Sequence, residues 1–378
     1  MLFPVFKKFF IAAIFFIFTT CQIAFASNVN IPVDWSKVTK VTGKSDLAKY
    51  LEKAHRAGQN VIPVILANGL IVSPDELIQL SPSSLIVCHT VSNDGQNIKM
   101  IYEVTDYPGT KVANAYLSGD TSKLNQDEIK LYKIALGIVN EAKKKSKWQQ
   151  QEAYIYKEIA ARTSYYTTKN FNNQPRFVTA VGALIDGKAN CQGYSDAFYM
   201  LGRMMGWEVG RMSGTVSGGA HMWNTITFNA GKADEKTYCV DITGGDSVIS
   251  YGEPVNKVFN SYIYFNAPIE IMQATHSWNF DSAPKNIQGS IDENYSYCIY
   301  DELIRANNAE DGLKLLAKKI SANKNFASVI FPYDKRFSTN PANWQYFEKV
   351  MAATNFNKKW WLHTRPHGKY IFVTACVW

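Results

Sequence analysis

Helical and strand-like periods alternate along this chain and divide it into three stretches. In the first, apolar residues recur at helical spacing over 45–57, and a strand-like run over 61–66 follows. Two more β-like runs, 84–91 and 99–105, are separated by Asn93, Asp94 and Gly95, as in a hairpin. Pro108 and Gly109 mark a boundary, and the polar stretch 118–125 reads as a linker. The second stretch opens on a helix whose start is signalled by Asn125 with Glu128 three residues later, an N-cap with its capping-box partner. Ile129, Tyr132, Leu136 and Val139 are expected to form its buried face, and a following helix carries Trp148, Ile155 and Ile159 at the same period. A third helix is expected after Asn190, with Ala197, Phe198, Leu201 and Met205 on its apolar face and Gly206 as its stop. Two β-like runs, 221–228 and 237–242, then flank a polar turn containing Gly231. The last stretch, from 286 on, alternates a helix over 309–320, a strand over 327–331, a helix over 342–353, and strands near Trp360 and over 370–374. Its helix-then-strand order resembles that of 45–66, which makes a duplicated accessory module conceivable.

The N-terminus has a different character. Lys7 and Lys8 precede an apolar run over 9–18, and Ala24, Phe25 and Ala26 form an A-x-A cleavage pattern before Ser27. This predicts a secretory signal peptide over 1–26, cleaved after Ala26. The run is shorter than the roughly 20 apolar residues a membrane-spanning helix needs, so no span is expected once the leader is removed. Phe18, Thr19 and Thr20 fit a lipobox poorly, so release is favoured over lipidation at Cys21. The remaining chain still exceeds the size at which one hydrophobic core stops growing, and two or three domains are expected.

Composition narrows the partners. The 40 Lys and Arg against 32 Asp and Glu are a mild, scattered excess. The densest basic run, Lys143 to Lys145 with Lys147, falls at a helix end, where cations complement the dipole. With no nucleic-acid-binding motif and an exported chain, nucleic acid is not an expected partner. Five cysteines remain after the leader, an odd count that leaves at least one thiol unpaired within the chain. If Cys191 is that thiol, Cys88, Cys239, Cys298 and Cys376 could form two disulfides, or all could be reduced. No cysteine pair has zinc-site spacing, and no metal or organic cofactor is expected.

The strongest chemical signal is Cys191 in the first turn of the helix capped by Asn190. Unpaired backbone N–H groups there stabilise negative charge on sulfur, the form that acts as a nucleophile. A hairpin centred on Gly231 would put His221 opposite Asp241 on one face, so that the carboxylate could hold one imidazole nitrogen and leave the other for the thiol. Other histidines carry less. His276 with Trp278 and Asn279 echoes the His221 segment and is expected to be packed or hydrogen-bonded. His363 and His367 are expected in a loop because Pro366 disfavours a helix. Cys88 and His89 are strand neighbours that point to opposite faces.

The run 181–198, containing Asn190, Cys191, Gln192, Gly193, Tyr194, Ser195 and Asp196, with Met205, Gly206 and Trp207 behind it, resembles the nucleophile segment of the bacterial transglutaminase-like superfamily. His221, Met222, Trp223 and Asn224 resemble that family's histidine strand, and Tyr238 to Thr243 its aspartate strand; the likeness runs over about 131–284. The chain departs from the family at Gly244, where relatives often carry tryptophan. The resemblance implies an α+β fold with a papain-like, transglutaminase-like core. The expected organisation is an N-terminal α/β accessory module over 27–117, a catalytic domain over 118–285 and a C-terminal α/β module over 286–378. By that resemblance Cys191 is the nucleophile, His221 the general base and acid, Asp241 the orienting carboxylate, and the Cys191 backbone N–H the first oxyanion donor. The implied activity is attack on amide bonds of proteins or peptides through a thioester, in a secreted or cell-envelope setting, with cell-wall peptides among the candidate substrates. Hydrolysis is slightly favoured; protein cross-linking at glutamine and a non-catalytic envelope scaffold are the alternatives.

Overall fold

The computed structural model describes residues 32–73, 76–77, 81–166, 175–216, 218–246, 264–278, 287, 303–322, 326–338, 340–354 and 360–377. The expected signal peptide and Cys298 lie outside them. Among the described residues, no helix is long and apolar enough to cross a membrane.

The described residues form three hydrophobic cores, each beneath its own four-stranded sheet. The first sheet is built from β1 (Lys40–Val41), β2 (Val61–Leu66), β3 (Ser84–Asn93) and β4 (Ile98–Asp106), in the order β1-β2-β4-β3. Helix α1 (Lys44–Arg56) connects β1 to its parallel partner β2 and buries Leu47, Ala48, Leu51 and Ala54. Cys88 points into this core, while its neighbour His89 pairs with Glu103 at 2.9 Å, as strand alternation requires.

The C-terminal sheet repeats this plan. It comprises β11 (Leu303–Arg305), β12 (Phe326–Pro332), β13 (Trp360–His367) and β14 (Tyr370–Val377), in the order β11-β12-β14-β13. Its first strand is again parallel to the second, across helix α6 (Ala309–Ser321), and the remaining pairings are antiparallel in both sheets. His363 and His367 therefore belong to a strand and not to a loop. Pro366 is accommodated there because β13 is the sheet edge, where a missing N–H leaves no ladder bond broken.

Between these modules, α2 (Pro108–Ser118), α3 (Gln126–Lys143), α4 (Trp148–Arg162) and α5 (Cys191–Met204) pack with a sheet of order β10-β7-β8-β9. Its strands are β7 (Glu208–Val216), β8 (Gly219–Phe228), β9 (Lys236–Val240) and β10 (His276–Ser277). Two short strands, β5 (Ser164–Tyr165) and β6 (Lys188–Ala189), pair alongside. Pro108 opens a helix instead of interrupting the chain, since proline at the first helical position gives up an N–H that has no acceptor there. Val112 and Ala113 of that helix enter the central core.

The capping box of α3 is present in full: the Asn125 side chain accepts from the Glu128 N–H, and Glu128 accepts from the Asn125 N–H, both at 2.9 Å. Its buried face differs from the expected one. Leu131, Ala135, Ile138, Val139 and Ala142 face the core, whereas Ile129 is exposed. Two apolar stripes compete on this helix, and the one bearing two alanines wins, because small side chains let a helix approach its neighbours closely enough to exclude water.

Candidate active site

Cys191 is the first residue of α5. The Asn190 side chain accepts from the backbone N–H groups of Gln192 at 3.1 Å and Gly193 at 3.3 Å, so the helix starts where the sequence predicts. The Cys191 N–H, one residue inside the cap, has no acceptor within the helix. Two bonds fasten α5 to β8: Ser195 Oγ donates to the Trp223 carbonyl at 3.2 Å, and Asn224 Nδ2 donates to the Ser195 carbonyl at 3.1 Å. Asn224 also donates to the Gly210 carbonyl at 3.1 Å and so joins helix, β8 and β7.

The β8–β9 ladder pairs Asn224 with Val240 and Phe228 with Lys236. One further step sets Asp241 opposite Trp223, not opposite His221 as a turn centred on Gly231 would give. The register is displaced by two residues, which keeps every side chain on its expected face because the strand period is two. His221 consequently reaches Asp241 along a diagonal, within the range of cross-strand neighbours. His221 Nε2 lies 2.9 Å from Asp241 Oδ2, and both groups are buried.

The carboxylate has two further donors. His276 Nε2 lies 3.2 Å from the same Oδ2, and the Gly244 N–H donates to Oδ1 at 3.0 Å. Gly244 has a steric reason. A Cβ there would overlap Asp241 Oδ2 and lie 2.7 Å from the Tyr264 ring, so only glycine lets the backbone close over the carboxylate. Gly244 is thus part of the aspartate's cradle.

Burial disfavours charge on both members of the His221–Asp241 pair, yet their mutual attraction outweighs it. Burial alone would lower the His221 pKa, but the Asp241 carboxylate and then the Cys191 sulfur raise it to about 10. Burial alone would raise the Asp241 carboxyl, but His221 and His276 hold it far below the usual carboxylate range. His221 Nδ1 is buried and has no hydrogen-bond partner among the described residues. With Nε2 committed to Asp241, Nδ1 is the nitrogen left to exchange a proton, and Cys191 is the sulfur whose charge it feels. Catalytic hydrogen bonds commonly shorten only when substrate is present.

The other cysteines differ in kind. Cys88, Cys191 and Cys239 are free and buried, so the two disulfides possible among Cys88, Cys239, Cys298 and Cys376 do not form as a set. Burial pushes the Cys88 thiol up to about 11 and the Cys239 thiol up to about 12. Both are core thiols, protonated near neutrality.

Sequence reasoning leaves two parts of this region without a role. Gln192 Nε2 donates to Tyr107 Oη at 3.1 Å, linking the residue after Cys191 to the end of the N-terminal sheet. Asp196 is fully buried, accepts the N–H groups of Gly109 at 3.1 Å and Ala180 at 2.8 Å, and pairs with Arg211, whose guanidinium lies 3.8 Å from the Tyr199 ring centroid and 4.6 Å from that of Tyr107. No local pattern marks these contacts, since each joins residues that only the fold brings together.

Comparison with known proteins completes the description. A crystal structure of a TGase aligns over 58% of this chain and 68% of its own, at 12% identity and a TM-score of 0.27. A proposed cysteine protease from Cytophaga hutchinsonii aligns over 43% and 64%, at 12% identity and a TM-score of 0.25. A proposed protease from Parabacteroides distasonis aligns over 84% and 65%, at 9% identity and a TM-score of 0.23. No curated protein matches the chain. A family model does: residues 133–239, which hold Cys191, His221 and the strands around them, match the transglutaminase-like superfamily.

Proposed function

We propose that the chain is a cysteine acyl-transfer enzyme in which Cys191, His221 and Asp241 act as nucleophile, general base and acid, and orienting carboxylate. The observation that carries this reading is the division of labour on His221. Asp241 fixes Nε2, and the other nitrogen is buried, unpartnered among the described residues and within the electrostatic reach of Cys191. With its pKa raised to about 10, His221 already carries the thiol proton on Nδ1 near neutral pH, and the sulfur attacks an amide carbonyl carbon. The imidazolium, stabilised by Asp241, then protonates the departing amine as the C–N bond breaks and leaves a thioester. The Cys191 N–H at the helix start donates to the developing oxyanion. Water, deprotonated by His221, attacks the thioester carbon, the C–S bond breaks, and the thiol is restored. An amine in place of that water would make a cross-link by the same steps.

Hydrolysis of protein or peptide amides is the favoured outcome, in a secreted or cell-envelope setting given by the leader over 1–26. Peptide libraries incubated with and without a primary amine test it directly. Cleaved or deamidated products dominating in both is the expected result, and amine-linked products dominating would make the activity cross-linking.

A further inference from the structure

The segment His276, Ser277, Trp278 repeats the His-x-Trp spacing of His221, Met222, Trp223, and the fold gives the repetition a meaning. β10 and β8 flank β7 on its two edges. His221 is paired with Gly214 and His276 with Val216, two residues along the same strand, so both imidazoles project from one face of the sheet. Gly214 is needed between them. A Cβ there would overlap the Ser277 carbonyl and lie 2.8 Å from the Trp223 ring. Trp223 and Trp278 pack edge to face at 5.9 Å, and the His276 ring sits 5.0 Å from both Trp223 and Tyr264.

We infer that His276 is a positioning residue of the proposed site, a second imidazole that fixes Asp241 so that Asp241 can fix His221. The inference rests on the reading of Cys191 and His221 as the reacting pair. Asp241 Oδ2 can only accept, so Nε2 of each histidine donates to it, at 2.9 Å from His221 and 3.2 Å from His276. His276 Nδ1 then accepts from the Thr275 hydroxyl at 2.8 Å, and Thr275 Oγ1 accepts from the Tyr264 hydroxyl at 2.9 Å. Every proton in this relay points toward Asp241, and the rings packed around His276 prevent it from turning away. Sharing one oxygen between two imidazoles also divides its negative charge, so His276 tempers the pull that Asp241 exerts on the His221 proton. Ligand atoms of His221, Asp241 and His276 lie within 4.8 Å of one another, which a divalent cation could also exploit, and the test below separates the two uses.

The test measures the rate of Cys191 alkylation by iodoacetamide on the full chain from about pH 5 to about pH 10, alongside kcat and KM on a cleavable peptide amide. His276→Ala is expected to lower kcat by about tenfold to a hundredfold with KM changed by less than about twofold, as misplacement of a catalytic group does. It is also expected to move the alkaline limb of the alkylation profile upward, because the undivided Asp241 charge holds the His221 proton more tightly. His276→Gln, whose amide retains a donor, restores most of both. Thr275→Val keeps the ring and removes the hydroxyl that feeds Nδ1, and is expected to shift the limb in the same direction by less. A folded His276→Ala chain whose profile superimposes on that of the parent overturns the inference; where that variant fails to fold, an unmoved limb in Thr275→Val does so. Stoichiometric Zn2+ binding that His276→Ala abolishes overturns it in favour of metal ligation. If the parent alkylates at Cys191 no faster than at Cys88 or Cys239, it is the acyl-transfer reading itself that fails.

Discussion

Asp241 is held by three donors in a dry setting, and that is why removing its charge is expected to be costly. Asp241→Asn keeps the volume but forfeits the attraction that stabilises an imidazolium, and a loss of about three to four orders of magnitude in acylation rate is expected, as in other triads. The same pair makes stability depend on pH. His221 binds its proton more tightly when folded, so its contribution is complete below its unfolded value and is lost as pH rises through about 10. Asp241 has the opposite sign: its contribution is present above its unfolded value and is lost as pH falls toward its depressed folded one. Thermal melting should therefore show His221→Ala costing more near about pH 7 than above about pH 10. A cost unchanged across that range would mean that His221 is not charged by Asp241. Cys191, His221 and Asp241 are legible in the sequence because each sits in a short segment with its own strand or helix signal. Gly244 is not, because its reason for being glycine is a contact with a neighbouring side chain that only the folded chain creates.

At the scale of elements, the hairpin shows what patterning can and cannot specify. Alternation identifies the face that His221 and Asp241 share, but the register between strands follows from turn geometry, and the turn after Phe228 sets it two residues away from a centre on Gly231. The chemistry survives because two is the strand period. Helix α3 shows the converse limit: its period is evident, yet which of two stripes is buried depends on partners that the segment itself does not name. Long-range pairs are the least legible. Tyr107, at the end of the first sheet, meets Gln192 at the start of the helix that carries Cys191, and no spacing rule connects them. Tyr107→Phe removes that bond; it should cost about 0.5–1.5 kcal/mol in denaturant unfolding and slow Cys191 alkylation. Full reactivity in that variant would show that the N-terminal sheet does not help to place the nucleophile.

On the scale of the whole molecule, two modules of one topology bracket the central core, and each reaches into it. The N-terminal side does so through Tyr107, Gly109 and Val112, and the C-terminal side through Ile330, Phe372 and the Lys369–Glu270 pair at 2.6 Å. A like helix-then-strand order was legible in both modules; the shared strand order was not, because pairings between distant segments set it. Asp196 joins α5 to β7 and to the chain entering α2, and Asp196→Ala would strand the buried Arg211 guanidinium. A loss of about 3–5 kcal/mol in unfolding free energy is expected, and a loss near zero would show that solvent reaches Arg211. The proposed leader belongs to this scale too: if the chain is exported as proposed, N-terminal sequencing is expected to begin at Ser27, and an intact Met1 would reject cleavage after Ala26. The most direct measurement on the central claim is mass spectrometry of the intact chain, followed by peptide mapping, after brief exposure to a thiol-reactive electrophile near neutral pH. The account expects one adduct, on Cys191, that forms far more slowly in His221→Ala and Asp241→Asn chains that remain folded at the assay temperature. Labelling of Cys88 or Cys239 ahead of Cys191, or labelling of Cys191 that is indifferent to both substitutions, would contradict it.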